Sequence, residues 1–225
     1  MGDIKLGIVC GLASERAVLM PTDRTLIGVS GAQPDKAKVE ARRLIEEGAT
    51  HLVSFGLAGA LDPALASGDV VLPERVLHVS GDAWVSDARW RVNVAADLEH
   101  TALPLLGVES LVSDPSDKAM LRQRHGAVAV DMESHCVAKA AHEAGLPFLA
   151  VRAIADPATR ALPKSIRDVI GLDGDVKLHA VFLGLLRHPD GILQLGTLKK
   201  ESDAAHAALR QAGQRLLAAA RDECP

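Results

Sequence analysis

The chain is poor in aromatic residues: among its 225 residues there is no Tyr, and there are only three Phe and two Trp. That shortage argues against single-stranded nucleic acid, which binds by stacking bases on aromatic platforms. Basic runs are missing as well, and the formal net charge is −4. Duplex nucleic acid, a polyanion, is therefore not an expected partner. No apolar run approaches the roughly 20 residues of a membrane span, and no signal peptide is expected, since Met1-Gly2-Asp3 runs almost directly into an apolar segment. Transient contact with a membrane surface would have to come through an apolar substrate. Cysteine is scarce: Cys10, Cys136 and Cys224 lack metal-ligand spacing, and their dispersal fits a reducing cytoplasm. The nine histidines form no ligand pattern; His135 and His142 merely share a helix face seven residues apart. Neither a metal nor an organic cofactor is expected.

What is abundant is small and aliphatic. Apolar residues make up 48% of the chain, and a core of Val, Leu, Ile and Ala suits a parallel sheet covered by helices on both faces. The length suits one α/β domain over residues 1–225. Buried strands are expected at Lys5–Cys10, Thr25–Val29, His51–Phe55, Asp69–Leu72 (extended by Arg75–Val79), Glu109–Val112, Val128–Asp131 and Phe148–Ile154. Helices are expected at Pro34–Glu47, Val94–Glu99, Ser116–Arg124, Ser134–Ala144, Ser165–Ile170, Val176–Arg187 and Leu198–Ala220. Pro34 suits a first helical turn and Gly48 a stop, while Gly56–Ala60 reads as a small-residue turn. Alternation of this kind predicts an α/β fold: a three-layer sandwich with a mostly parallel, twisted central sheet.

The most informative stretch is Val130-Asp131-Met132-Glu133-Ser134, followed one helix later by Val151-Arg152-Ala153-Ile154-Ala155-Asp156. Both segments put carboxylates at strand exits, the edge where open α/β sheets bind ligands. Two further segments stand with them: Gly7-Ile8-Val9-Cys10-Gly11-Leu12-Ala13-Ser14-Glu15, and Gly56-Leu57-Ala58-Gly59-Ala60-Leu61 running on through Ser67-Gly68-Asp69-Val70-Val71. Together and in this order they resemble the nucleoside phosphorylase and nucleosidase fold family. That family includes purine nucleoside phosphorylases and 5′-methylthioadenosine/S-adenosylhomocysteine nucleosidases. Leu162-Pro163-Lys164 and the Ala- and Leu-rich segments around Leu183–Arg187 and Leu209–Ala220 are similar, more narrowly, to the hopanoid-associated phosphorylases, which act on adenosylhopane.

The resemblance implies cleavage of an N-glycosidic bond, releasing adenine from a 5′-modified adenosine. Phosphorolysis of adenosylhopane is the leading expectation. Hydrolysis of methylthioadenosine or S-adenosylhomocysteine, and an inactive nucleoside-binding role, stand as alternatives. Asp156 is implied as the general acid at the purine; read alone, it is an Asp-Pro turn residue. Glu133 is implied as the clamp on the ribose hydroxyls, or else a helix-start glutamate. Met132 packs on the sugar, or simply fills core. Glu15 is implied to activate water, or else to start a solvated helix.

Gly56, Ala58 and Gly59 would form the turn on which sugar and nucleophile rest. Ser30, Gly31 and Gln33, before a helix N-terminus, are candidates for phosphate as a co-substrate. The phosphorylases place an arginine in the segment matching Ser54–Leu57, where this chain has none, so Arg16, Arg24 or Lys36 would have to supply the charge. Ser113 and Asp114 are candidate contacts to the base, and a Trp from Asp82–Arg91 could reach the purine. The family also implies a homo-oligomer, with a dimer expected. Short loops and the apolar Leu162, Ile166, Ile170 and Leu172 would leave room for a lipid tail on the ribose.

Overall fold

The computed structural model describes residues 4–161 and 191–222. Within them a nine-stranded sheet is flanked by helices on both faces. The strands are β1 (Leu6–Cys10), β2 (Thr25–Val29), β3 (His51–Ala60), β4 (Val70–Val71), β5 (Arg75–His78), β6 (Ala83–Val85), β7 (Leu105–Gly107), β8 (Ala129–Asp131) and β9 (Phe148–Asp156). The helices are α1 (Ala13–Arg16), α2 (Pro34–Glu46), α3 (Ala88–Ala95), α4 (Pro115–His125), α5 (Ser134–Glu143) and α6 (Gly191–Asp222).

Period-two alternation in the strands sorts the core into two layers. Ile8, Phe55, Leu149 and Val151 pack against Trp90 and Val94 of α3 and Leu209, Ala212 and Leu216 of α6. Val9, Leu52, Ala58, Ala150 and Ile154 pack against α2, through Ala37, Ala41 and Leu44, and against α5, through Val137, Ala138 and Ala141. Small residues on the second face let those helices lie close. Each fully buried Leu or Phe contributes about 1.5–3 kcal/mol.

The sheet runs in the order β2-β1-β3-β8-β7-β5-β6, with β9 also on β3 and β4 on β9. Strand β3 positions the site. One of its sides pairs with β9 along most of its length. Its other neighbour changes: His51–Phe55 pair with β1, whereas only Gly59 and Ala60 pair with β8, antiparallel. Between them, at Gly56–Ala58, β1 has ended and β8 has not begun. This gap at the carboxyl edge exposes backbone groups that need partners.

Four expectations are corrected here. Gly56–Ala60 is not a turn: the small residues continue β3, because β9 pairs past them with a register shift at Ala58/Gly59. Asp69–Leu72 and Arg75–Val79 are not one strand, since β4 pairs with β9 while β5 pairs with β7. The strand expected at Glu109–Val112 lies earlier, at β7, and the helix expected at Val94–Glu99 is α3, capped by the Asp87 side chain on the Trp90 N–H. The expected helices Ser165–Ile170 and Val176–Arg187 lie outside the described residues. So do Leu162-Pro163-Lys164, Leu183–Arg187, Ile166, Ile170 and Leu172. The apolar stripe of α6 is spent on the core. No helix of the described residues is long and apolar enough to cross a membrane.

Candidate active site

Three carboxylates gather along the β3 gap. The first is Glu15, in the single turn of α1. Its Oε2 accepts the Leu12 N–H at 2.9 Å, and its Oε1 accepts the Leu57 N–H at 2.9 Å. The second bond satisfies an amide that the end of β1 leaves open. Gly56 is small because of this: a Cβ there would sit 2.6–2.8 Å from the Glu15 carboxylate. Replacing Gly56 by alanine therefore pushes Glu15 aside. Thermal denaturation should show a loss of about 1–3 kcal/mol, the usual cost of overpacking.

The second carboxylate is Glu133, the N-cap residue of α5. A Cβ built on Gly11 would lie 3.2 Å from both Glu133 Oε1 and Glu15 Oε2. The two acids thus flank one glycine at the end of β1. The third is Asp156, the last residue of β9, paired with Gly59, whose Cβ position is 3.6 Å from Asp156 Oδ2. Gly56 and Gly59 are three strand positions apart, a span of roughly 10 Å. That is the scale of a nucleoside, with Glu15 and Glu133 at one end and Asp156 at the other.

Two cations shape these acids. Arg152 is fully buried inside β9. Its Nε donates to Asp131 Oδ2 at 2.6 Å, its Nη2 to Ser54 Oγ at 2.6 Å, and its Nη1 to the Val151 carbonyl at 3.1 Å. Ser134 closes this network by bonding Asp131 and Ser54. The guanidinium also lies 3.7 Å from Glu133 Oε2. Lys118, in α4, is buried completely. Its Nζ donates to Asp156 Oδ2, to the Pro157 carbonyl at 2.9 Å and to the Arg160 carbonyl at 3.3 Å. All three ammonium protons are used. Asp156 Oδ1, by contrast, is buried and has no hydrogen-bond partner among the described residues.

Burial dominates the protonation of all three acids. It raises Glu15, with Arg152 and the Leu57 and Leu12 N–H groups pulling the other way. Glu133 is pushed up to about 8 by burial and then by the neighbouring Asp131, against Arg152. Asp156 is raised by burial, opposed by Lys118. A raised Asp156 is suited to proton donation near neutrality, whereas a raised Glu15, when ionised, is a stronger base than an ordinary carboxylate.

The remaining candidates divide. Ala58 is buried on β3, and Met132 is half-buried beside Glu133. Ser30 is buried, but its hydroxyl donates to the Cys10 carbonyl at 3.3 Å, so it is not a free anion donor. Gly31 and Ala32 have φ of 65° and 57°, turning the chain into α2 behind Gln33, whose side chain makes no capping bond. Asp114 caps α4 through the Ser116 N–H and hydroxyl, which accounts for an aspartate there. Ser113 precedes it, buried. Trp90 does not face the edge. It lies in the core, edge-on to His51 at the amino end of β3. Trp84 sits on β6, partly buried against the α2–α5 layer. Among the proposed phosphate cations, Arg24 stands at the amino end of β2, away from the gap, and Arg16 and Lys36 are exposed.

Sequence reasoning missed Lys118 and Arg152. A lone lysine in a polar helix reads as a solvated face. Arg152 carried a usable signal: an arginine inside an apolar strand must find a buried partner.

Comparison with known proteins bears on the family and the fold. A family model described as the phosphorylase superfamily matches residues 16–104 and 104–171. A 5′-methylthioadenosine/S-adenosylhomocysteine nucleosidase of Shewanella frigidimarina is 24% identical over 206 residues, covering 71% of this chain and 89% of the relative. One from Marinomonas is 27% identical over 143 residues, covering 53% of this chain and 62% of the relative, so that match spans less than two thirds of that protein. In three dimensions the chain is similar to the Helicobacter pylori nucleosidase of the same description, solved with a pyrrolidine-based ligand. The TM-score is 0.70 at 14% identity, covering 99% and 100% of the two chains. Futalosine hydrolase of the same organism gives a TM-score of 0.68 at 14% identity, with 98% of each chain covered. These likenesses speak for the α/β fold, and the family match runs through more than half of the sequence: the chain belongs to the phosphorylase superfamily, an enzyme family.

Proposed function

We propose that the protein cleaves the N-glycosidic bond of a 5′-modified adenosine with water, releasing adenine. The observation that carries this reading is the placement of three raised carboxylates along one strand gap, two at the sugar end and one at the base end. The named nucleosidase relatives support the substrate class.

The contacts support the following roles. In its ionised form, which Arg152 favours, Glu133 has the two acceptor oxygens needed to hold the 2′- and 3′-hydroxyls and to favour positive charge on the ribosyl ring. Glu15, fixed by two backbone amides, has its carboxylate beside Glu133 and takes a proton from the attacking water. Asp156 donates to the purine through Oδ1, while Lys118 holds Oδ2 and so sets which oxygen faces the base. The division of labour is that of a glycosidase, with an acid for the leaving group and a carboxylate for the water.

Electrostatics favour water over phosphate. Glu15, Glu133 and Asp131 surround a single guanidinium, Arg152, which spends three of its five N–H donors on Asp131, Ser54 and the Val151 carbonyl and lies 3.7 Å from Glu133. A phosphate dianion placed there would add negative charge to a cluster of acids that burial already biases against ionising, beside a guanidinium already paired within that cluster. Methylthioadenosine and a lipid-tailed adenosine should be compared by ultraviolet assay of free adenine, each with and without phosphate. Release that ignores phosphate is expected. A rate that requires phosphate would replace water by phosphate, and strong preference for the lipid tail would narrow the substrate to that class. No adenine from either would remove the reading.

A further inference from the structure

We propose that His78, Glu109 and His135 form a binding site for a divalent transition metal of the zinc class, distinct from the carboxylate gap. The three come from separate elements: the end of β5, the loop after β7, and the first turn of α5. They are 31 and 26 residues apart in sequence, so no spacing motif marks them. In the fold each offers one ligand atom, and these atoms all lie within 4.8 Å of one another. Glu109 Oε1 is 3.2 Å from His78 Nε2 and 3.3 Å from His135 Nε2. Zinc with bonds of about 2.1 Å in a tetrahedron spaces its ligand atoms about 3.4 Å apart. Two edges of such a polyhedron are therefore already in place.

The turn after β5 holds the His78 ring: the Ser80 hydroxyl donates to Asp82 Oδ2 at 2.9 Å and lies 2.7 Å from His78 Nδ1, and the Ser80 N–H donates to that same nitrogen at 3.4 Å. With Nδ1 held by the turn, Nε2 is the nitrogen turned toward Glu109, and it is the atom a metal would take. A ring whose second nitrogen is held by a hydroxyl with a carboxylate beyond it has the outer support that orients metal-bound imidazoles. His135 is buried, its Nδ1 has no partner among the described residues, and its ring fills the space beside Gly107, where a Cβ would come within 2.5 Å. The Cys136 Sγ stands 3.3 Å from His135 Nε2, a further donor at the rim. The two imidazoles stack at 4.5 Å and 18°, so binding requires His78, at the strand's end beside an exposed turn, to rotate toward His135. Glu109 is 63% exposed and leaves an entry path. The ion would tie the loop that leads into α4 to both β5 and α5, bracing the helix that carries Lys118.

The test uses the full chain stripped with a chelator, then titrated with Zn2+ by calorimetry and with Co2+ by visible absorption. One equivalent of Zn2+, a d–d band from Co2+, and a chelator-reversible rise in Tm are expected. Glu109→Gln and His78→Asn alter solvent-reachable side chains and should fold normally. Each should weaken binding at least tenfold, and the pair should abolish both the band and the Tm rise. Absence of stoichiometric binding, or binding equally tight in the two variants, would overturn the site.

Discussion

Replacing Lys118 by methionine should cost about 3–5 kcal/mol of stability, the scale of breaking a buried ion pair by removing one partner. The reason is specific. The ammonium is fully enclosed, and its three donors hold Asp156 and two carbonyls of the turn after β9. Methionine fills the space but leaves all three acceptors unpaired. Chemistry should suffer separately. Asp156 would lose the contact that holds Oδ2 and so leaves Oδ1 for the proposed proton transfer, and a misplaced acid costs about a hundredfold in turnover. The pH profile gives the sign. Burial already raises Asp156 and Lys118 opposes that rise, so removing the lysine raises it further. Activity that requires the protonated acid is lost as pH climbs through its pKa, so the alkaline limb of the turnover profile should move to higher pH. Lys118→Met combined with Asp156→Asn should recover part of the lost stability, because no uncompensated charge remains. A single variant as stable and as active as the parent would remove Lys118 from the site.

Glu133→Gln should lower turnover by about a hundredfold or more, the size of a charge-stabilising contact made in the transition state. The folded state should respond in the opposite direction. Burial and Asp131 push Glu133 up to about 8 in the folded chain, and burial also raises Glu15. A carboxyl raised on folding contributes its full stability below its unfolded value near 4.5. That contribution fades as pH rises through the folded value. Thermal melts of the parent should therefore decline from about pH 5 to pH 9, whereas the Glu133→Gln variant declines less and overtakes it above pH 8, by an amount on the order of 1–3 kcal/mol. Equal activity in the variant, or parallel pH curves, would take Glu133 out of its assigned role.

The parts of the fold that could be read in advance were those with strong local causes. Pro34 and Gly48 bound α2, and the apolar run before Asp156 could only be a buried strand. Glu15, Glu133 and Asp156 were legible as chemistry-bearing acids at strand exits. What brings them together was not. Gly56–Ala60 has the composition of a turn, and only the long-range pairing of β3 with β9 makes it strand. The smallness of Gly56 has a tertiary cause, the Glu15 carboxylate above it. Lys118 was hidden because its partners lie 38 to 42 residues ahead. Asp114 and Ser113 stood out as polar residues in a short loop, yet the Asp114 side chain caps α4. Local pattern finds groups that can react, whereas packing decides which of them meet.

The central claim is that water attacks the sugar carbon. It is tested most directly by running the reaction on methylthioadenosine in 18O-enriched water with phosphate present, then weighing the sugar product. The account predicts free 5-methylthioribose carrying one heavy oxygen at the anomeric carbon, formed at the same rate whether or not phosphate is added. A sugar 1-phosphate without the label would contradict it.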